Sequence, residues 1–405
     1  MLGGVALVTG AAMLNPSIAL GTPAAAVPPP ITPEERLQRL ARARLLMQQN
    51  GIGSVFIESG PSLDYFTGVR WWRSERVTGV LVPVTGEPLV ITPAFERPSV
   101  EETLQVPAEV RTWEEDEPPL KLVADYLREQ RLDREPVGFE ETNRFFILDQ
   151  LQQALPGVRT VSANPVVRGC RMIKSPAELA LMQHAANLTI DALRQTHGAV
   201  REGMSNEEIG SLFEKNVAAL GGEQPWSLVL IDEASALPHG SGKPQQVERG
   251  SVVLMDCGCG FRGYQADISR TFVWGAEPTP LQRKVWEQVR RGQEIAMSAA
   301  RVGAPAGSVD DAVRRTYEGW GYGPRYKLPG TSHRTGHGIG MEGHEPVHLV
   351  HGETTPLAPG MCFSNEPGIY LPGQFGVRLE DCFFLTANGP KWFTTPPPSI
   401  DRPFD

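Results

Sequence analysis

The chain has 405 residues, of which 40% are hydrophobic and 21% charged, with 42 Gly and 36 Pro; this excludes wholesale disorder and predicts two or three domains of α/β or α+β character. The net charge of −9 argues against nucleic-acid binding, which needs a basic face. Five cysteines are too few for a disulfide framework, and their odd number leaves at least one thiol unpaired.

Residues 1–27 contain no charged side chain, and their small apolar stretch, broken at Asn15-Pro16, ends in Thr22-Pro23-Ala24-Ala25-Ala26. Residues 1–28 therefore read as a signal-like or disordered segment. Export is favoured over a cytoplasmic location, although the basic start of a secretory signal is missing. Its Pro, Gly and Ala make it a poor membrane span. Thr32-Pro33-Glu34-Glu35 then reads as an N-cap, a proline at N1 and a capping-box Glu opening a helix to about Gln49, stopped near Gly51. Residues 54–59 predict a strand, and residues 77–84 and 88–92, flanking Thr85-Gly86-Glu87, a hairpin. Residues 120–131 have helical spacing, and 136–140 another strand. Residues 29–168 thus form a mixed α/β N-terminal domain.

The second domain, residues 169–405, begins before the capping box Ser175-Pro176-Ala177-Glu178. It has a two-fold rhythm. A long helix from 176 to about 197, a second helix from Ser205 and then strands are echoed by a helix from Thr279, another from Ser308-Val309-Asp310-Asp311 and further strands. The fold class is α+β, with helices on one side of antiparallel sheets. The end of the chain, 394–403, is Pro-rich and predicted to run extended over the surface.

Each half ends in a hairpin that carries carboxylates. A turn about Phe261-Arg262 would set Asp256 opposite Asp267, with Cβ atoms roughly 4.5–5.5 Å apart, and a turn about Pro372-Gly373 would set Glu366 opposite Glu380. Carboxylates this close repel unless a proton or metal lies between them. Five of the eight histidines fall in one window, His333, His337, His344, His348 and His351, and another sits at His239. Four carboxylates with one or two imidazoles suit two divalent ions, Mn²⁺, Co²⁺ or Zn²⁺, with manganese preferred. Two such ions can hold a bridging hydroxide and clamp a tetrahedral intermediate.

The pattern Asp256-x10-Asp267, then Gly336-His337-Gly-Ile-Gly340-x3-His344-Glu345, then Asn365-Glu366-Pro-Gly and Arg378-Leu-Glu380-Asp381, resembles the metallopeptidases of the creatinase, or pita-bread, fold. Tyr65-Phe66-Thr67-Gly68 and Ser74-Glu75-Arg76 resemble the N-terminal domain of its proline-specific branch. The overall likeness is greatest to bacterial Xaa-Pro dipeptidases (prolidases). The resemblance implies that Asp256, Asp267, His337, Glu366 and Glu380 are metal ligands, with Asp267 and Glu380 bridging two ions. A metal-bridging hydroxide would attack the carbonyl of an Xaa-Pro bond, and Glu366 would also shuttle the proton. His239 and His344 would donate hydrogen bonds to the substrate carbonyl and the oxyanion. His333 and Arg378 would hold the proline side. Strand alternation puts Arg378 on the face of Glu380, where a guanidinium needs an anion, and a substrate carboxylate gripped in two places is expected; the alternative is an ion pair with Asp381.

The partners implied are a small peptide with proline at the second position and a second copy of the chain in a homodimer. Aminopeptidase P, acting on longer peptides, is the alternative activity, and a metal-free binding protein of the same fold a remote one. Trp71-Trp72 is expected at a core or interface, His184, His197, Cys257 and Cys259 in packing. One departure stands out. Family members often carry a tyrosine before the His-Gly, bonded to a ligand carboxylate; here residues 226–232 contain none.

Overall fold

The computed structural model describes residues 27–404, so nearly all of the segment read as an export signal lies outside the described residues. The first helix, Pro33–Asn50, starts at Thr32, whose hydroxyl accepts from the Glu35 amide, and ends at Gly51 in a left-handed conformation, φ 62°. The expected reciprocal half of this box does not form, because the Glu35 carboxylate is drawn instead to Arg39 and Ser175.

A six-stranded mixed sheet builds the N-terminal domain, in the order Glu109–Trp113, Leu89–Pro93, Gly79–Pro83, Ser54–Glu58, Val137–Phe139, Thr160–Ser162. The predicted hairpin is there, with Val80 opposite Val90. The central strands are buried on both faces, which is why they read as apolar runs without alternation.

Beyond Ser175 the two-fold rhythm becomes two halves. Helices Pro176–Ala199 and Asn206–Leu220 precede a sheet in which Val252–Phe261 lies between Glu223–Ile231 and Ile268–Val273. Helices Pro280–Ala299 and Gly307–Gly319 precede a five-stranded sheet centred on Cys362–Asn365 and Asp381–Thr386. The capping boxes at Ser175, Ser205 and Thr279 all form reciprocally. The helix expected to be capped by Ser308 instead starts at Gly307; Ser308 donates back to the Pro305 carbonyl. The two halves meet along a backbone seam, where Ser269 and Glu380 exchange N–H···O=C bonds of 3.2 and 3.1 Å. Among the described residues no helix is long and apolar enough to cross a membrane.

The two hairpins differ in how they match expectation. Asn365 pairs with Asp381 and Gly368 with Arg378, so Glu366 and Glu380 fall opposite each other about Gly373, φ 74°. The other turn lies one residue later than predicted. Arg262 and Gly263 both take positive φ, 50° and 86°, the pattern of a tight two-residue hairpin turn, and Asp256 pairs with Ser269 rather than Asp267. The strand breaks between Gln265 and Ile268, and Asp267 swings from that break toward Asp256.

Candidate metal centre and active site

The carboxylates of Asp256, Asp267 and Glu380 offer oxygens within 4.8 Å of one another, and His337, Glu366 and Glu380 do the same. The five predicted ligands therefore converge on one place at the seam between the halves. His337 Nε2 lies 3.4 Å from Glu366 and 3.7 Å from Asp267. Its Nδ1 is 3.0 Å from the Gly338 carbonyl; Nδ1 must carry the proton to bond there, which leaves the Nε2 lone pair facing the carboxylates. Glycines at 336 and 338 allow this strand to pack closely, since a Cβ on either would come within 2.1–2.4 Å of a neighbouring carbonyl oxygen.

Such a cluster is costly without cations. Burial, then the neighbouring Asp256 and Glu366, pushes Asp267 well above the usual carboxylate range. Burial and Asp267 do the same to Glu380. Glu366 is pushed up to about 7 by burial, against the pull of Arg378. Asp267 Oδ1 and Glu380 Oε1 are buried with no hydrogen-bond partner. These are the two residues expected to bridge, and an orphaned oxygen in a buried carboxylate cluster is what a divalent cation satisfies. The hard oxygen-rich donor set fits Mn²⁺, Co²⁺ or Zn²⁺.

Ser269 supplies a hydroxyl to the carboxylates. Its hydroxyl lies 2.9 Å from both Asp256 and Glu380 and accepts from Arg378 Nε at 3.2 Å. Arg378 is buried, and it faces neither Asp381 nor open space. Asp381 is taken by Arg270 at 2.8 Å. The anion opposite Arg378 is Asp256, at 2.5 Å, because the shifted register brings Asp256 and Arg378 together on Ser269. Arg378 also donates to the Pro238 carbonyl and the Tyr370 hydroxyl. Of its five N–H groups one remains, so a two-pronged grip on a substrate carboxylate is not available in this arrangement. Tyr370 Oη bonds His333 Nε2 at 2.7 Å, and His333 Nδ1 meets the Arg334 carbonyl at 2.8 Å. Both ring nitrogens of His333 are thus engaged, and burial pushes the ring down to about 3; it presents an apolar ring surface.

His344 packs against His337 with tilted rings, centroids 3.9 Å apart. One of its nitrogens falls within 4.8 Å of ligand atoms of Asp267 and His337. Its Nδ1 lies 3.1 Å from the Arg334 guanidinium. Arginine can only donate, so Nδ1 accepts and Nε2 carries the proton. That makes His344 an N–H donor rather than a lone-pair ligand. His239 sits on the exposed turn before Gly240; His344 is lowered first by burial, then by Arg334, with His239 a minor contributor. With Gly240, Leu228 and Leu230 it lines an open cleft of about 460 Å³.

Outside the centre, His184 packs on Phe261 and His197 on Phe272. Cys257 and Cys259 are buried free thiols. His351 is paired with Asp311 on the surface. Trp71 and Trp72 stack at 5.3 Å. Ser269, Tyr370 and Arg334 are the functional residues that sequence reasoning passed over. For Tyr370 a signal existed: it lies on the strand Gly368–Leu371, two residues from the partner of Arg378, on the same face.

Residues 180–387 match metallopeptidase family M24, and residues 39–173 match the creatinase/prolidase N-terminal domain. An Xaa-Pro dipeptidase of Lactobacillus delbrueckii subsp. lactis is 31% identical over 86% of this chain and 94% of its own. An Xaa-Pro dipeptidase of Pyrococcus furiosus is 29% identical over 89% of this chain and 98% of its own. The crystal structure of dipeptidase PepE from Mycobacterium ulcerans superposes with a TM-score of 0.83 at 29% identity, covering 91% of this chain and 98% of that one.

Proposed function

Since the chain belongs to metallopeptidase family M24 and carries the creatinase/prolidase N-terminal domain, we propose that it hydrolyses the Xaa-Pro bond of dipeptides. The observation that carries this reading is the pair of orphaned buried oxygens, Asp267 Oδ1 and Glu380 Oε1, in a cluster completed by Asp256, His337 and Glu366. These five residues would hold two divalent ions, manganese in the first instance. When bound, the ions would supply the positive charge that activates water and stabilises negative charge on the scissile carbonyl.

The protein groups then have separable tasks. Glu366 takes a proton from the attacking water and returns it to the departing proline nitrogen. His344 points a protonated Nε2 at the developing oxyanion, its Nδ1 anchored by Arg334. His239 contributes a second donor from the cleft wall. His333 and Tyr370 form the wall of the proline subsite, and Arg378 holds that wall and Asp256 in place, with one N–H left for the substrate carboxylate. The homodimer belongs to the same reading.

Purified protein supplied with Mn²⁺ should cleave Leu-Pro and leave Leu-Pro-Gly-Gly largely intact, read as released proline or leucine. Rapid cleavage of the tetrapeptide with little of the dipeptide would overturn the dipeptidase assignment in favour of aminopeptidase P. Chelation should abolish the activity, and dialysis back into Mn²⁺ restore it.

A further inference from the structure

Glu345 follows His344, and its side chain turns away from the metal centre into the junction between the domains. It is buried. One oxygen accepts from Arg171 and from the backbone amides of Met341, 2.8 Å, and Glu342, 3.1 Å; the other accepts from Lys174 Nζ at 3.0 Å. Arg171 ends the helix Asn164–Arg171, and Lys174 lies in the short connection to Pro176–Ala199. Both cations thus belong to the segment that joins the domains. Arg171 also donates to Ser62, whose hydroxyl bonds Glu140 at 2.5 Å, and pairs with Glu342 at 2.8 Å. Burial alone would raise the Glu345 carboxyl, but Arg171 and Lys174 bring it down to about 2. Gly340 leaves the room for this: a Cβ there would lie 2.7 Å from Lys174 Cε and 2.8 Å from a Glu345 oxygen. The Gly340 carbonyl in turn accepts from the Gln265 amide at 2.8 Å, tying the loop to the hairpin that bears Asp256 and Asp267.

We infer that Glu345 is a positioning residue for His344, and that Arg171 and Lys174 make the placement of His344 depend on the docking of the N-terminal domain. The inference rests on the reading of His344 as a donor to the reacting carbonyl. The four hydrogen bonds fix the loop 340–345 from behind, so the imidazole needs no support from the substrate side. The domain junction then sets a distance inside the active site, although neither Arg171 nor Lys174 reaches it.

The test is a double-mutant cycle on the full-length, metal-loaded enzyme with Leu-Pro, combining Lys174→Met or Glu345→Gln with His344→Ala. His344→Ala should lower kcat by about 10²–10³. Lys174→Met should lower kcat by about tenfold with KM little changed and metal content per chain at the wild-type level, and should cost nothing further on the His344→Ala background. An equal loss on both backgrounds would overturn the inference while leaving the role of His344 intact. Full kcat in His344→Ala would overturn the reading of His344 itself, and the catalytic part of the inference with it. Hydrogen exchange of 340–346 in the metal-free protein gives a readout apart from activity. Exchange should quicken in Lys174→Met, and unchanged exchange would show that no clamp exists. Lys174→Met carries the test alone if Glu345→Gln does not fold.

Discussion

Ser269 holds one hydroxyl between two carboxylates and a guanidinium. It accepts from Arg378 and has a single proton to share between Asp256 and Glu380, so it orients carboxylates contributed by both halves, the proposed metal ligands. Ser269→Ala should weaken Mn²⁺ binding by about 10–100-fold, the usual cost of losing a group that orients metal ligands. Titration of the metal-free protein by calorimetry checks this; an unchanged affinity would leave the orientation to Arg378 alone. At this scale the five residues that converge in the cluster were legible in the sequence because each sits in a short motif with fixed spacing. Ser269, Tyr370, Arg334 and Glu345 were not, although all lie within or beside those motifs. Their roles come from partners on distant strands and from the domain junction, and nothing local in the chain announces such a partner. Arg378 was legible as a buried cation needing an anion, but a one-residue shift in the hairpin decided which anion it met.

The helix Gly307–Gly319 carries out a similar task for an entire loop. Asp310, fully buried, accepts from the Thr335 amide and hydroxyl, the Tyr326 hydroxyl, the His351 amide and Arg314 one turn on. Arg314 reaches the carbonyls of Arg325, Thr331 and His333. The loop leading to His333 and His337 is thus bound to one helix turn. Asp310→Asn keeps the shape but leaves Arg314 buried without its counter-charge, and should destabilise the protein by about 3–5 kcal/mol. Equilibrium urea unfolding measures this, and a loss below about 1 kcal/mol would contradict it. Elements with strong local signals were read correctly: the capping box at Ser175, the helix starts at Ser205 and Thr279, and the hairpin centred on Gly373. The start at Gly307 was missed because no side chain caps it. The other hairpin was misplaced because a non-glycine, Arg262, takes positive φ in its turn. The strands Glu109–Trp113 and Thr160–Ser162 are short and half-exposed, so neither alternation nor an apolar run marks them.

For the molecule as a whole, the buried carboxylates couple stability to both pH and metal. Asp267, Glu380 and Glu366 have raised values in the metal-free fold, each through burial first. Acids raised in this way favour folding while protonated; their contribution is complete below the unfolded carboxylate range near about 4 and fades as pH climbs through the folded values. Metal binds the ionised forms and releases their protons. The melting temperature of metal-free protein should therefore fall relative to that of Mn²⁺-loaded protein as pH rises from about 4 through 7. Scanning calorimetry with and without chelator tests it, and a pH-independent gap would mean that these groups do not titrate with metal release. The seam between the halves adds a topological consequence. Asp256 and Asp267 come from one half, His337, Glu366 and Glu380 from the other, and near them the halves are joined by the Ser269–Glu380 backbone pair, the Gln265–Gly340 backbone bond and the Arg378–Asp256 ion pair. An ion seated among them ties the long stretch from Asp267 to Glu366 into a closed ring, as a covalent bridge would. Chelation is then to this chain what reduction is to a disulfide-linked one, opening the ring in a protein whose five cysteines, all buried and free, provide no such bridge.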